Sequence, residues 1–406
     1  MVKILFVHHV SSIGGGSYCL LSILKGLDRN KFLPVVLLKS EGDLVSEIKA
    51  LGVDVIYFPQ MATIPYNKSI FRLTSLLGYY RMLESFIFFS KLLKEHDFDI
   101  VYLNNMMLYP YLRMAKNYGC RTIIHIREHW PKNEHQIQFS IAKKNIYKYA
   151  DHVIAINNYS SSMFPECKCK SSIIYDWVDF SDRYRKVDFN ELFGEDASKL
   201  KVMLFTGGIS EIKGTLEVVQ TFTQNIKGSD YRLLIMGGSF DSPSSKILAF
   251  GERIKMAIGW LPYRIRVKHA IENDCRIVVI PPTYQIVDYI KKSYCMLSYF
   301  TIPHANLALA EAAILGLVTV AANTEESMEY ANGGKGAILF EFNNIEDFIS
   351  KIHYTIANYD VIKYQLKESS SVIAQMFEPS RNIMLLNKIC EYVALGDDNS
   401  TNMILD

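Results

Sequence analysis

Lys213 stands in Gly207-Gly208-Ile209-Ser210-Glu211-Ile212-Lys213-Gly214, between an apolar run at 201–206 and a helix-forming stretch at 215–225. Glycines let a backbone turn close to an anion, and an ammonium at a helix start supplies a point charge to a phosphate. The competing reading is a solvated lysine. A second candidate lies in 294–323, where the apolar run 295–300 leads into a loop with Pro303 and His304. Asn306 then caps a helix running to Leu315, Gly316 ends it, and a second apolar run follows at 318–322. That helix start offers free N–H groups and a partial positive charge. Glu311, one turn inside, cannot chelate a phosphate, but its carboxylate can accept hydrogen bonds from ribose hydroxyls. The alternative is a solvated helix residue.

Two further clusters are dense in polar groups. His125-Ile126-Arg127-Glu128-His129-Trp130 closes the apolar run 121–126. His125 and His129 are four apart, but a strand end does not place them on one face, which argues against zinc. A substrate-facing cluster competes there with a local Arg127–Glu128 ion pair. Gly14, Gly15 and Gly16 follow the first apolar run, 3–8, and precede a helix at 17–27. Strand, glycine loop and helix in that order let a ligand approach the backbone, although the pattern is not GxGxxG and a tight structural turn would use the same residues. Cys167 and Cys169 have no second pair at zinc spacing. Seven cysteines, an odd number mostly inside apolar runs, favour a reduced cytosolic setting.

These groups need a scaffold, and the chain supplies one by alternation. Further short apolar runs at 34–38, 53–58, 99–104, 152–156, 172–175, 232–236 and 276–280 are separated by helical stretches, among them 107–118, 136–149, 244–257 and 286–292. Strand–helix–strand units of this kind build parallel sheets, whose ligands sit at the carboxyl ends of the strands. At 406 residues the chain exceeds one ordinary core. The pattern lapses into charges at 176–185, the expected linker. The predicted fold is α/β, two Rossmann-like doubly wound parallel-sheet domains facing a cleft. A net charge of +2 argues against a nucleic-acid partner held by bulk charge. No apolar run reaches the roughly 18 residues that span a bilayer, and the start MVKILFVHHV runs into a glycine loop rather than a cleavage site. Residues 69–95 mix aromatic and aliphatic side chains with Arg72, Arg81, Lys91 and Lys94, next to Lys68. Such a stretch can lie on an anionic membrane surface, or form a pair of helices packed on the sheet.

The sequence FTGGISEIKGT at 205–215, RLLIMGG at 232–238, the N-terminal glycine loop, and Ala310-Glu311-Ala312 followed by Gly316 and 318–322 together resemble the family-4 retaining glycosyltransferases of GT-B architecture. The resemblance covers nearly the whole chain. It implies an N-terminal acceptor domain at 1–178, a nucleotide-sugar domain at 179–376, and a C-terminal segment at 377–406 whose helix, 377–393, crosses back. It implies that Lys213 holds the diphosphate of a nucleotide-sugar, that Glu311 binds the ribose, and that N–H groups around Asn306, Leu307 and Ala308 face the distal phosphate. Gly207 and Gly208 line the same loop, Gly15 and Gly16 let donor and acceptor come close, and Pro281 and Pro282 fall where a loop touches the base. Arg127 or His129 takes the place of the family's histidine beside the sugar. The chain departs from the pattern twice: the phosphate-binding arginine falls on Gly208, and the first glutamate of Glu-x7-Glu falls on Pro303. A substitute cation such as Arg127, or a weakened or lost activity, follows from those changes. The implied chemistry is retaining transfer to a lipid-linked or polysaccharide acceptor in cell-surface glycan synthesis. It needs no cofactor or metal; Asp97 and Asp99 are read as structural. Cytoplasmic residence with peripheral contact at the inner membrane face is the implied setting. A non-catalytic nucleotide- or sugar-binding protein of the same fold, and an epimerase or phosphorylase of related architecture, are the alternatives.

Overall fold

The computed structural model describes residues 1–64, 73–130, 135–181, 183–238, 240, 256, 261–272 and 274–396. The helix expected at 244–257 and the first residues of the 69–95 stretch lie outside them.

The chain divides into two compact units, Met1–Trp177 with Phe377–Asp406, and Val178–Met376. In the first, β1 (Val2–His8), α1 (Gly15–Gly26), β2 (Phe32–Leu38), α2 (Asp43–Ala50), β3 (Asp54–Tyr57), α3 (Leu73–Glu95), β4 (Ile100–Leu103), α4 (Pro110–Asn117), β5 (Arg121–Ile126), α5 (Gln136–Tyr149), β6 (His152–Ala155), α6 (Asn158–Ser162) and β7 (Ser171–Ile173) follow in order. The strands form one parallel sheet in the order β3-β2-β1-β4-β5-β6-β7. The central strands read as continuous apolar runs because helices cover both faces of the sheet.

The second unit runs α7 (Phe189–Phe193), β8 (Lys201–Phe205), α8 (Thr215–Asn225), β9 (Tyr231–Met236), α9 (Tyr263–Glu272), β10 (Ile277–Ile280), α10 (Val287–Lys292), β11 (Cys295–Ser298), α11 (Leu307–Ile314), β12 (Val318–Asn323), α12 (Glu325–Tyr330), β13 (Ile338–Glu341), α13 (Ile345–Ala357) and α14 (Tyr359–Met376). Its parallel sheet has the order β10-β9-β8-β11-β12-β13. Its cores lie on the two faces, around Phe222, Phe340 and Phe348 on one and Met296, Leu234 and Leu317 on the other.

The last helix, α15 (Pro379–Leu395), belongs to the first unit. Asn387 ties it to the end of α1, accepting from the Asp28 N–H at 2.9 Å and donating to the Gly26 carbonyl at 3.0 Å. Lys31 and Glu391 pair at 2.7 Å. The segment expected as a pair of helices or a membrane-surface element is, where described, the single helix α3. Among the described residues no helix is long and apolar enough to cross a membrane.

Both sheets reverse strand order next to a central strand, between β1 and β4 and between β8 and β11. Loops leaving the carboxyl ends of such strand pairs diverge, opening a crevice where ligands bind in doubly wound folds. The expected α/β architecture is what the chain adopts; Gly14, Gly207, Gly208, Lys213 and Asn306 fall on those loops, Glu311 on the helix that follows one of them, Arg127 and His129 just past β5, and Pro281 and Pro282 just past β10.

Candidate functional site

In the second unit the crevice is framed by the β8–α8 loop, 206–214, and the β11–α11 loop, 299–306. The two are fastened together: the Thr301 N–H donates to the Ile212 carbonyl at 3.0 Å and its hydroxyl donates to the Glu211 carbonyl at 2.9 Å. Gly214, at φ +71, packs so tightly on Tyr299 that a Cβ would lie 2.4 Å from its ring. Gly208 has φ +63; its N–H donates to the Met236 carbonyl at 2.9 Å, and its carbonyl accepts from the Thr215 hydroxyl at 2.8 Å. A Cβ there would meet the Gly237 carbonyl oxygen at 2.6 Å. The missing arginine therefore has a local cause: this backbone admits only glycine. Gly207 is equally closed, by Phe205 at 2.3 Å.

Lys213 is half-buried, its Nζ 4.3 Å from the centre of the Phe300 ring. Among the described residues no carboxylate pairs with it, and burial lowers its pKa to about 7. An ammonium held out of water without a counter-ion costs free energy, which an arriving anion would recover. Asn306 fixes the neighbouring helix start: its side-chain oxygen accepts from the Leu309 N–H at 3.2 Å and its amide nitrogen donates to the Ser298 hydroxyl at 2.7 Å. The cap leaves the Leu307 and Ala308 N–H groups without an acceptor among the described residues, as at any helix start. Pro281 and Pro282 are exposed just past β10.

Glu311 is not a solvated helix residue. It is buried, and its Oε1 accepts from Arg183 Nη1 at 2.5 Å, while Arg183 Nε donates to the Tyr284 carbonyl at 3.1 Å. Burial raises the Glu311 pKa against the opposing pull of Arg183. Arg183 was missed by sequence reasoning because it lies in the charged stretch read as linker, with no motif around it.

In the first unit, Gly14, Gly15 and Gly16 open α1 without left-handed backbone. A Cβ at Gly14 or Gly15 would meet nothing within 4 Å, and at Gly16 only His8 Cε1 at 3.9 Å. Neither strain nor crowding within the chain demands glycine, so the tight-turn reading fails and open space remains above the loop. His8, beneath it, is buried between the Ser17 hydroxyl at 3.4 Å and the Asn104 amide at 3.2 Å. Burial, with His9 and Arg127 adding, lowers its pKa to about 3. His9 falls to about 4 by burial and the nearby Lys39 charge.

Arg127 and Glu128 do not pair through their side chains. The Arg127 guanidinium is committed in three directions: to Asp176, to Asn104 Oδ1 at 3.2 Å, and to His125 Nδ1 at 3.2 Å. Burial works against its charge, but Asp176 outweighs that and raises its pKa. Glu128 turns inward; its Oε2 accepts from the Met106 and Arg127 N–H groups at 3.0 and 3.1 Å, and burial lifts its pKa to about 7. His125 is buried with Nδ1 2.7 Å from the Tyr102 hydroxyl. His129 stands apart, stacked on Tyr159 with ring centres 4.1 Å apart. The structure thus gathers Arg127, His125, Asn104, Asp176 and His8 at the ends of β1, β4 and β5, and separates His129 from them. Among the described residues no group of three or more His, Cys, Asp or Glu side chains could hold a metal ion.

Residues 13–182 match the family model for Glycosyltransferase Family 4. No curated protein matches the chain in sequence. Among solved structures it resembles HepE of Anabaena in complex with UDP and glucose, with a TM-score of 0.74 and 17% identity over 96% of this chain and 100% of that one. It also resembles a glycosyltransferase from Rickettsia africae, at TM-score 0.66 and 17% identity over 98% and 99% of the two chains. The apo lipopolysaccharide outer core galactosyltransferase WaaB follows at TM-score 0.53 and 16% identity, over 95% and 99%. Two doubly wound parallel-sheet units with these neighbours define a GT-B fold.

Proposed function

We propose that this chain moves a sugar from a nucleotide-diphosphate donor to a lipid-linked or polysaccharide acceptor of a surface glycan, with retention of anomeric configuration and without a bound metal. The observation that carries the reading is Lys213, a half-buried ammonium with no carboxylate partner among the described residues, on a loop fastened to the one that leads into α11. A diphosphate set against both would gain a point charge and two N–H donors, groups that stabilise the charge developing on a departing nucleoside diphosphate. Its leaving oxygen can take the acceptor's proton as the glycosidic bond forms, so no separate general base is required. Glu311 retains a second carboxylate oxygen for a ribose hydroxyl while Arg183 holds the first. Open space above Gly14–Gly16 suits close approach of donor and acceptor. HepE holds UDP and glucose in its crystal, which makes UDP-sugars the first donors to try. Seven free thiols support a reducing, cytoplasmic setting.

A second reading rests on Gly208, whose backbone excludes the family's arginine: the chain binds a nucleotide-sugar and does not turn it over. Thermal stabilisation by UDP-, GDP- and ADP-sugars tests donor binding for both, and no shift with any of them would sink both. Release of nucleoside diphosphate upon adding a lipid-linked acceptor, with an α-linked product from an α-linked donor, separates transfer from binding.

A further inference from the structure

The second unit holds a cavity of about 470 Å³ that none of the chemistry above uses. Its walls come from segments that only packing brings together: the end of α10, the turn from α11 into β12, and the first half of α14. Ser293, Leu317 and Gly336 in its lining stand just ahead of β11, β12 and β13, so the cavity sits at the amino ends of parallel strands. Lys213 and Asn306 lie on loops at the opposite, carboxyl edge of the same sheet. The walls are fixed without a ligand. Tyr359 stacks on Tyr294 with ring centres 4.0 Å apart and donates its hydroxyl to the Tyr294 carbonyl at 2.8 Å. The Ser370 hydroxyl donates to the Ile314 carbonyl at 3.1 Å, tying α14 to the end of α11. A preformed space of this volume suits a small organic molecule.

The lining narrows the chemistry of that molecule. Ile290, Leu317, Leu366 and the Tyr359 ring give it an apolar surface, and its charged residues are all cations: Lys291, Lys363 and Lys367. Asp360 and Glu368, also on α14, stay out of the lining. None of the three lysines has a hydrogen-bond or ion-pair partner among the described residues. Lys292, next to Lys291, shows the ordinary alternative, for it is paired with Asp288 at 2.9 Å. A cation in the last turn of α10 complements the helix end, which accounts for Lys291. Lys363 and Lys367 have no such ground. They stand one turn apart in the first half of α14, where the dipole gives a cation no support and like charges at that spacing repel. Lys363 Nζ lies 5.6 Å from the centre of the Tyr359 ring, which brings its charge to the cavity wall. An anion there would relieve the repulsion.

We propose that this cavity is a second ligand site, which takes a small organic phosphate with an apolar body: the phosphate meets Lys363, Lys367 and Lys291, and the body lies on Ile290, Leu317 and the Tyr359 ring. The site shares α11 with Asn306 and Glu311, but none of its lining residues is one assigned to the donor, so it stands whether or not a nucleotide-sugar binds.

The test uses the full chain with anilinonaphthalene sulfonate, a fluorescent ring anion, as the probe. Fluorescence is expected to rise to saturation. A Lys363→Gln/Lys367→Gln double variant, at two exposed positions, is expected to bind the probe about tenfold or more weakly with an unchanged melting temperature. Phenyl phosphate is expected to displace the probe at lower concentration than inorganic phosphate does, which separates a ligand with an apolar body from a bare anion. Excess UDP, and the Lys213→Ala change, are expected to leave the probe bound, which keeps the outcome apart from that of donor binding. The proposal is overturned if the probe does not bind, if the double variant binds it like the parent, if inorganic phosphate displaces it as readily as phenyl phosphate, or if UDP expels it.

Discussion

On the proposed reading, Lys213, its pKa lowered to about 7 by burial, couples diphosphate binding to a proton. The folded protein without ligand holds Lys213 partly neutral, whereas the unfolded chain keeps it charged up to about 10.4. Burial of the ammonium therefore costs stability most below about pH 7, and the cost is relieved as pH rises towards the unfolded value. A bound diphosphate reverses the preference and draws a proton onto Nζ. UDP affinity should accordingly weaken by about tenfold per pH unit above 7, with proton uptake visible by calorimetry in buffers of different ionisation enthalpy. In Lys213→Ala the uptake should vanish and turnover should fall by about 10²–10³. Gly208 gives an opposite kind of test. Restoring the family's arginine with Gly208→Arg should not rescue activity but should destabilise the unit by about 1–3 kcal/mol from backbone strain alone, because φ is +63 and the Gly237 carbonyl is in the way. Urea unfolding would register the loss; an equally stable, faster enzyme would refute the account.

At the scale of elements, α15 shows how a terminal helix is held by shape. Gly26 ends α1 facing Ile383, and a Cβ there would lie 2.6 Å from its Cγ1. Gly26→Ala should therefore push α15 off its seat and cost about 1–3 kcal/mol, the usual range for overpacking. The readout is a lower melting temperature with earlier proteolysis after residue 376. The α11 start shows the complementary case, where the element was legible from its cap. Asn306, an eight-residue alanine-rich helix and Gly316 spell out the boundaries, and the side chain does cap the helix. The single helix α3 was less legible, since a long run rich in aromatics gives the same composition whether one helix or two, packed or exposed.

For the whole molecule, buried histidines set the acid response. His8 falls to about 3, His9 and His152 to about 4, and His125 well below its ordinary value, each chiefly by burial. As pH drops below 6.5 the unfolded chain takes up protons that the native state refuses, so stability is lost. Glu128, binding a proton in the native state between about 7 and 4.5, and Glu311, also raised by burial, act the other way, but they are two groups against four. The melting temperature should fall between pH 7 and 5, and His8→Asn should blunt the fall. A flat profile over that range would show that these rings are protonated in the native state.

Alternating apolar runs and glycine loops sufficed to read the α/β class, and the order strand, loop, helix located Lys213, Asn306 and Gly14–Gly16 at the ends of strands, because those features are encoded within a few residues. Partnerships between distant segments were not encoded that way. Arg183 meets Glu311 across 128 residues, and Arg127 turns from its neighbour Glu128 to Asp176, 49 residues on, because only packing decides which charges are brought out of water together. The same holds for Gly208, where sequence showed an arginine missing and the folded chain supplied the reason, a carbonyl from the β9 end occupying the space its side chain would need.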